Sequence, residues 1–326
     1  MREPIQPIDP EIAKLLPADY VQFWNSTMAF LPKIESLSPI DARKIAKPTV
    51  GPGKTPGVKG EDIEIPRTET KGDPIKAKVY YPNTPEPSDG YPVFLYFHGG
   101  GFVIGGARID DWITAYWCES TSAVVVSVDY RHAPEFKFPS PVDDVVDSYR
   151  WILCNPLRTK LNTEKVVAGG NSAGANLTTV LTHEINKIGL PQLLAQVLIV
   201  PTCDTYNKYD SHERFKHAPG LSVTRMNYFI NHYINCEDDR KDTRLSSLLN
   251  DIESFKKCPQ AFVGIAYIDV LHDEGIEYVK KLREANVPVD FSVYVSPHVI
   301  VSTSGKLEEG ARMLREVAAF VKKVVN

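Results

Sequence analysis

The chain carries no large surplus of either charge. Its 326 residues hold 37 Lys and Arg against 41 Asp and Glu, a formal net charge of −4 with histidine neutral. That balance sets up no basic field, so no nucleic-acid partner is expected. Long hydrophobic runs are missing too. The apolar stretches are strand-sized, such as Val124-Val125-Val126, far short of the roughly 18 residues a membrane helix needs. Met1-Arg2-Glu3-Pro4-Ile5-Gln6-Pro7 has no apolar stretch like a secretory leader's, so a cytoplasmic location is expected. Cysteine is sparse: Cys118, Cys154, Cys203, Cys236 and Cys258 form an odd set without Cys-x-x-Cys. Buried free thiols fit that set better than a disulfide framework or a zinc site. His132, His183, His212, His217 and His232 show no metal-ligand spacing and are expected to be structural or exposed. No repeat of about 20–50 residues is present. Neither Gly-x-Gly-x-x-Gly followed by an acidic residue nor Gly-x-x-x-x-Gly-Lys-Ser/Thr occurs, which removes the common phosphate cradles.

What is present reads as a folded α/β chain. Hydrophobic residues are 43% and charged residues 24%, ordinary for a globular domain and incompatible with wholesale disorder. Proline is abundant, 25 residues, with many before position 100, where they break up regular structure. Short helices still fit residues 1–50. Asp9-Pro10-Glu11 resembles a cap with proline at the first helical position, and Val21, Trp24, Met28 and Leu31 recur near helical spacing. Lys47–Gly60 reads as a linker.

Strands then alternate with helices. The expected strands are 63–65, 76–81, 93–97, 123–128, 165–168, 196–200, 261–266 and 290–295. The central ones are continuous apolar runs, as strands buried on both faces should be. Val142, Val145, Val146, Tyr149, Ile152 and Leu153 mark one helical stripe; Leu307, Ala311, Leu314, Val317 and Val321 mark another. Asp143 and Asp144, on the first of these helices, are expected as solvated or capping charges. The rhythm implies a mainly parallel sheet with helices on both faces. Residues 203–255, polar and aromatic, interrupt it as a helical insertion.

Two glycine motifs carry the chemistry. Gly170-Asn171-Ser172-Ala173-Gly174 follows an apolar strand and opens a helix. A serine on such a turn is exposed on strained backbone, flanked by glycines because side chains would clash there. The helix start also aims backbone N–H groups at a developing anion. His98-Gly99-Gly100-Gly101 directly follows Val93–Phe97, and its glycines let backbone donors approach a substrate.

Together with Asp129-Tyr130-Arg131-His132-Ala133-Pro134-Glu135 and Asp269-Val270-Leu271-His272-Asp273-Glu274, these motifs make residues 75–325 resemble the hormone-sensitive-lipase-like carboxylesterase branch of the α/β-hydrolase family. The resemblance implies an eight-stranded, mostly parallel sheet with flanking helices and a helical cap. The cap would comprise residues 1–50 and 203–255, over a catalytic domain formed by 51–202 and 256–326. It also implies chain order Ser, acid, His. Ser172 is then the nucleophile and His298, after the last strand, the base. Asp269 is the acid, with Asp273 as the competitor whose alternative role is to cap or stabilise a helix start. Gly100, Gly101 and Ala173 would form the oxyanion hole, with His98 and Gly99 bracing the loop. Tyr20, Phe23, Trp24, Phe215, Tyr228 and Val299, with Phe30 and Phe229, are candidates for the substrate pocket; otherwise they are cap core. No cofactor or metal is implied. The expected activity is hydrolysis of short- to medium-chain esters. The rivals are an amide deacetylase on the same triad and a ligand receptor of the same fold that has lost the catalytic histidine. Beyond a small-molecule ester, no partner is implied; the oligomeric state is open, with a homodimer one outcome. Asn171, Pro297 and Val299-Ile300 depart from the branch's usual residues around the nucleophile and base.

Overall fold

A computed structural model describes residues 3–68 and 70–326. Eight strands form one sheet: β1 Gly60–Ile65, β2 Ile75–Tyr80, β3 Tyr91–Phe97, β4 Val124–Asp129, β5 Leu161–Asn171, β6 Ala195–Ile199, β7 Gln260–Ile268 and β8 Val289–Pro297. Their order is β1-β2-β4-β3-β5-β6-β7-β8. β2 runs antiparallel to both β1 and β4, and all other pairs are parallel. Each expected strand is present, several of them longer than their apolar cores.

The α-helices are α1 Pro10–Ala13, α2 Ala18–Ser26, α3 Pro39–Ile45, α4 Asp111–Thr121, α5 Ser140–Leu153, α6 Ala173–Lys187, α7 Asp210–Arg214, α8 Val223–Tyr233, α9 Ile252–Phe255, α10 His272–Glu284 and α11 Glu308–Val325. Local chemistry marks several starts. Asp9 accepts from Glu11 N at 2.9 Å before α1, Ser222 from Arg225 N at 3.2 Å before α8, and Asp251 from Ser254 N at 2.8 Å before α9. The stripe read through Met28 and Leu31 outruns its helix: α2 stops at Ser26, and Met28–Phe30 form a single 3₁₀ turn.

Alternation along β3 shows how the sheet is buried. Val93, Leu95 and Phe97 share a core with Val145 and Tyr149 of α5 and Leu177 and Leu181 of α6. Phe94 and Tyr96 share another with Trp117 of α4 and Leu314 and Val317 of α11. With both faces apolar, burial drives the helices onto the sheet from two sides. No helix among the described residues is long and apolar enough to cross a membrane.

Three expectations need correction. Asp144 is not solvated but fully buried; its carboxylate accepts from Arg131 N at 2.7 Å and Nε at 2.9 Å, and pairs with Arg67. A buried carboxylate is tolerated here because its charge is compensated on two sides. All five cysteines are free, but Cys154 and Cys236 are exposed. The stretch read as a linker is pinned in place: Thr49 N donates to Ile109 O at 2.7 Å, and its hydroxyl to Asp110 at 2.9 Å.

Candidate active site

The chain leaves β3 to form β4 on one side and returns to form β5 on the other. At such a switch the loops after two neighbouring strands diverge, opening a crevice at their carboxyl ends. Both glycine motifs lie there. Phe97 pairs in register with Gly170, which brings His98 and Gly99 beside Asn171. Ser172 occupies the turn into α6 at φ +57° and ψ −116°, a conformation costly for a non-glycine residue. Its N–H donates to Ile199 O at 2.8 Å, which ties the turn to β6. The flanking glycines are required by close approach. A Cβ on Gly174 would stand 1.9 Å from Phe97 O, and one on Gly170 2.3 Å from the Gly174 backbone.

Three segments converge on this serine. His298 Nε2 lies 2.8 Å from Ser172 Oγ, and His298 Nδ1 lies 2.7 Å from Asp269 Oδ2. Because a carboxylate only accepts, Nδ1 carries the hydrogen and Nε2 is left to accept from the serine hydroxyl. Leu271 N donates to the other oxygen of Asp269 at 3.0 Å, fixing the carboxylate. Asp269 is 1% and His298 8% exposed, so the bond between them is shielded from water. Asp273 points elsewhere, to Ser211 N at 2.8 Å, Arg214 at 2.8 Å and His272 at 2.7 Å. Burial alone would raise its pKa, but these hydrogen bonds and charges bring it below the ordinary value. It joins α10 to α7 and does not touch His298.

The N–H groups of Gly100, Gly101 and Ala173 have no acceptor among the described residues, as expected for a helix start and a bare turn. Gly101 sits at φ +60°, and a Cβ there would come within 2.2 Å of the Phe229 ring. His98 is fully buried. Its Nδ1–H donates to Gly99 O at 2.7 Å, its ring stacks on Tyr130 at 4.4 Å, and its carbonyl accepts from Tyr130 OH at 2.8 Å. Burial lowers its pKa to about 4, so the ring is neutral near pH 7.

Ser172 faces a cleft with ≈ 500 Å³ of empty space, part of it open to solvent. Phe102, Leu221, Met226, Phe229, Ile230 and Leu271 form its apolar wall; Thr202, Asn207, His212 and Arg240 are among its polar residues. None of the six residues expected to line it does so. Tyr20 and Trp24 stack on each other within the core, at 1% and 2% exposure. Phe23 packs edge-on to Tyr20, and Phe215 is buried against Tyr267. Tyr228 turns toward Leu37, donating to its carbonyl at 3.1 Å, and Val299 packs beside Gly220. Only Phe229, of the wider set, reaches the cleft. The missed residues carried a usable signal: Met226, Phe229 and Ile230 recur at i, i+3 and i+4 on one face of α8. Which residues line the cleft is decided by the helical face, not by aromatic character.

One buried acid borders this wall. Glu274 accepts from Cys203 N at 2.6 Å, but its second oxygen has no hydrogen-bond partner among the described residues, and His212 Nε2 stands 3.8 Å away. Burial raises its pKa to about 7, against the opposing pull of His212 and the Cys203 N–H.

Residues 94–301 match a family described by the alpha/beta hydrolase fold. The chain is 33% identical to an AB hydrolase superfamily protein of Schizosaccharomyces pombe over 94% of both chains. It is 32% identical to the carboxylesterase NlhH of Mycobacterium tuberculosis over 67% of this chain and 68% of that one. Among solved structures, a thermostable esterase from Pseudomonas putida superposes with a TM-score of 0.86 at 26% identity, covering 95% of this chain and 98% of the other.

Proposed function

This chain belongs to the alpha/beta hydrolase fold family, in its hormone-sensitive-lipase-like carboxylesterase branch, and from that membership we propose that it hydrolyses small carboxylic esters through an acyl-enzyme on Ser172. The hydrogen-bonded chain Ser172–His298–Asp269, at 2.8 and 2.7 Å, carries the reading.

Ser172 Oγ attacks the ester carbonyl carbon as His298 Nε2 takes its proton. Asp269 holds the tautomer and stabilises the imidazolium that forms. The carbonyl oxygen becomes an oxyanion, for which the free N–H groups of Gly100, Gly101 and Ala173 are the donors; one important donor contributes roughly 3–4 kcal/mol. His298 then protonates the departing alcohol. In the second half it activates water, which releases the acid and restores Ser172. The chemistry needs no redox step and no group beyond these side chains and the backbone. His98, neutral and clamped by Tyr130, braces the glycine loop.

Residues 1–50 and 203–255 act together as a cap on the catalytic parts 51–202 and 256–326. Arg225 of α8 pairs with Glu35 at 2.7 Å, and Tyr228 reaches Leu37. The same helix supplies the cleft's Met226, Phe229 and Ile230. A short apolar wall facing polar residues suits short to medium acyl chains. His298 in hydrogen-bond reach of Ser172 favours turnover over a receptor role.

The test pairs p-nitrophenyl esters of increasing acyl length with the Ser172→Ala variant and a phosphonate ester. Wild type should turn over the shorter esters best and be labelled at Ser172. The folded alanine variant should lose several orders of magnitude in turnover. Labelling at another serine, with the variant still active, would overturn the nucleophile.

A further inference from the structure

His132 showed no ligand spacing along the chain, but folding changes its company. His98 directly follows β3, Asp129 ends the neighbouring β4, and His132 lies three residues beyond it. One ligand atom from each lies within 4.8 Å of the other two. Ser172, His298 and Asp269 are not among them. We propose that His98, Asp129 and His132 form a binding site for a zinc-type divalent cation at the base of the Gly99–Gly101 loop.

The geometry of the two rings carries this. His98 Nε2 and His132 Nε2 are 3.3 Å apart. Two nitrogens bound tetrahedrally to zinc, each at about 2.0–2.1 Å, stand roughly 3.3–3.4 Å from each other. The imidazoles therefore already sit at a ligand-to-ligand distance. His98 also has the support that a metal-binding histidine requires. Its Nδ1–H is committed to Gly99 O at 2.7 Å, which directs the Nε2 lone pair toward His132. Stacking on Tyr130 fixes the ring plane. Without metal, His132 Nε2–H donates to that lone pair; with metal, the His132 proton moves to Nδ1, which has no hydrogen-bond partner among the described residues. Asp129 supplies the carboxylate oxygen. Two imidazoles and one carboxylate suit zinc, and cobalt as its spectroscopic substitute, better than magnesium or calcium. Arg43, whose charge reaches His132, is held by Glu135 at 2.9 and 2.6 Å. His98 is fully buried, whereas His132 and Asp129 are half-buried, so two of the three ligands keep some contact with solvent.

The test uses the full chain, stripped with a chelator, in a Cys154→Ser/Cys236→Ser background so that exposed thiols do not compete. Calorimetric titration with zinc chloride should show one saturable site, and zinc should raise Tm by a few degrees. Cobalt should give a visible absorption band. His132→Leu should weaken zinc binding at least 100-fold and abolish the band and the Tm rise. Asp129→Asn should weaken binding at least tenfold. Circular dichroism and metal-free Tm identify which variants fold; His132→Gln replaces His132→Leu if leucine does not. No saturable zinc binding, or equal binding in the folded His132 variant, would overturn the site. So would undiminished binding in Asp129→Asn.

Discussion

The two carboxylates after β7 lie four positions apart, yet they face different partners. Asp269 holds His298, whereas Asp273 holds Arg214, His272 and the Ser211 N–H. Asp269→Asn should keep the fold and lower kcat by roughly three to four orders of magnitude, because an amide admits the wrong tautomer and leaves the imidazolium unneutralised. Asp273→Asn should keep turnover within a few-fold and cost about 0.5–1.5 kcal/mol in stability. Steady-state kinetics and thermal unfolding of both variants decide; an inactive, folded Asp273→Asn with active Asp269→Asn would reverse the assignment. Glu274 gives a separate signature. Its folded pKa, about 7, lies above the ordinary 4.5, so between these values the folded state holds a proton that the unfolded chain has released. Its contribution therefore makes stability fall as pH rises through that window, with the full penalty above it. Glu274→Gln keeps an acceptor for Cys203 N and removes the ionisation. Its stability relative to wild type should rise from pH 5 to pH 8 by up to about 3 kcal/mol. Unfolding at a series of pH values checks this, and a pH-independent difference would refute it.

Elements meet at the site through glycines whose neighbours differ in kind. The missing Cβ of Gly174 is where β3 presents Phe97 O, at 1.9 Å; that of Gly101 is where α8 presents the Phe229 ring, at 2.2 Å. Backbone inside a sheet cannot retreat, but a ring at the cleft can rotate. Gly174→Ala should therefore destabilise by more than about 3 kcal/mol or prevent folding. Gly101→Ala also meets strain at φ +60°, but should act mainly on turnover by disturbing the loop. Urea midpoints and kcat for the two variants test this; equal loss of stability would count against it. The strand and helix pattern was plain in sequence because both faces of β3 and the stripes of α5 and α11 are apolar at the correct periods. The end of α2 was not plain, since its apolar spacing continues through the following 3₁₀ turn.

At the scale of the whole molecule, the two cap pieces are joined across about 190 residues of chain. Arg225–Glu35 is a pair only 12% and 14% exposed, and Arg225 also reaches Gln6. Removing residues 1–46 would strip α2 and α3 and uncover the α8 face that Tyr228 and Arg225 use. The truncated protein should bind more of a hydrophobic dye, be less soluble and show a changed acyl-length profile. Wild-type stability with an unchanged profile would refute the cap. A milder probe is Arg225→Ala, which leaves Glu35 half of a nearly buried pair and should lower Tm while sparing labelling of Ser172.

The sequence alone determined the order of strands and helices and the chemistry of the serine turn and of the glycine loop after β3. Periodicity and glycine spacing are local properties, and a strand–Ser–helix turn announces itself within about ten residues. His298 and Asp269 follow from the chain order that the family resemblance implies, and parallel topology turns that order into adjacency. Tertiary structure alone decided the cleft wall, the burial of Asp144 between two arginines and the meeting of His98 with His132. Each depends on which faces of distant elements meet, a relation between segments dozens of residues apart. Tyr20 and Trp24 resemble pocket residues by composition, but the packing of α2 turns them into core, while Met226 and Arg240 reach the cleft because of where the insertion lands.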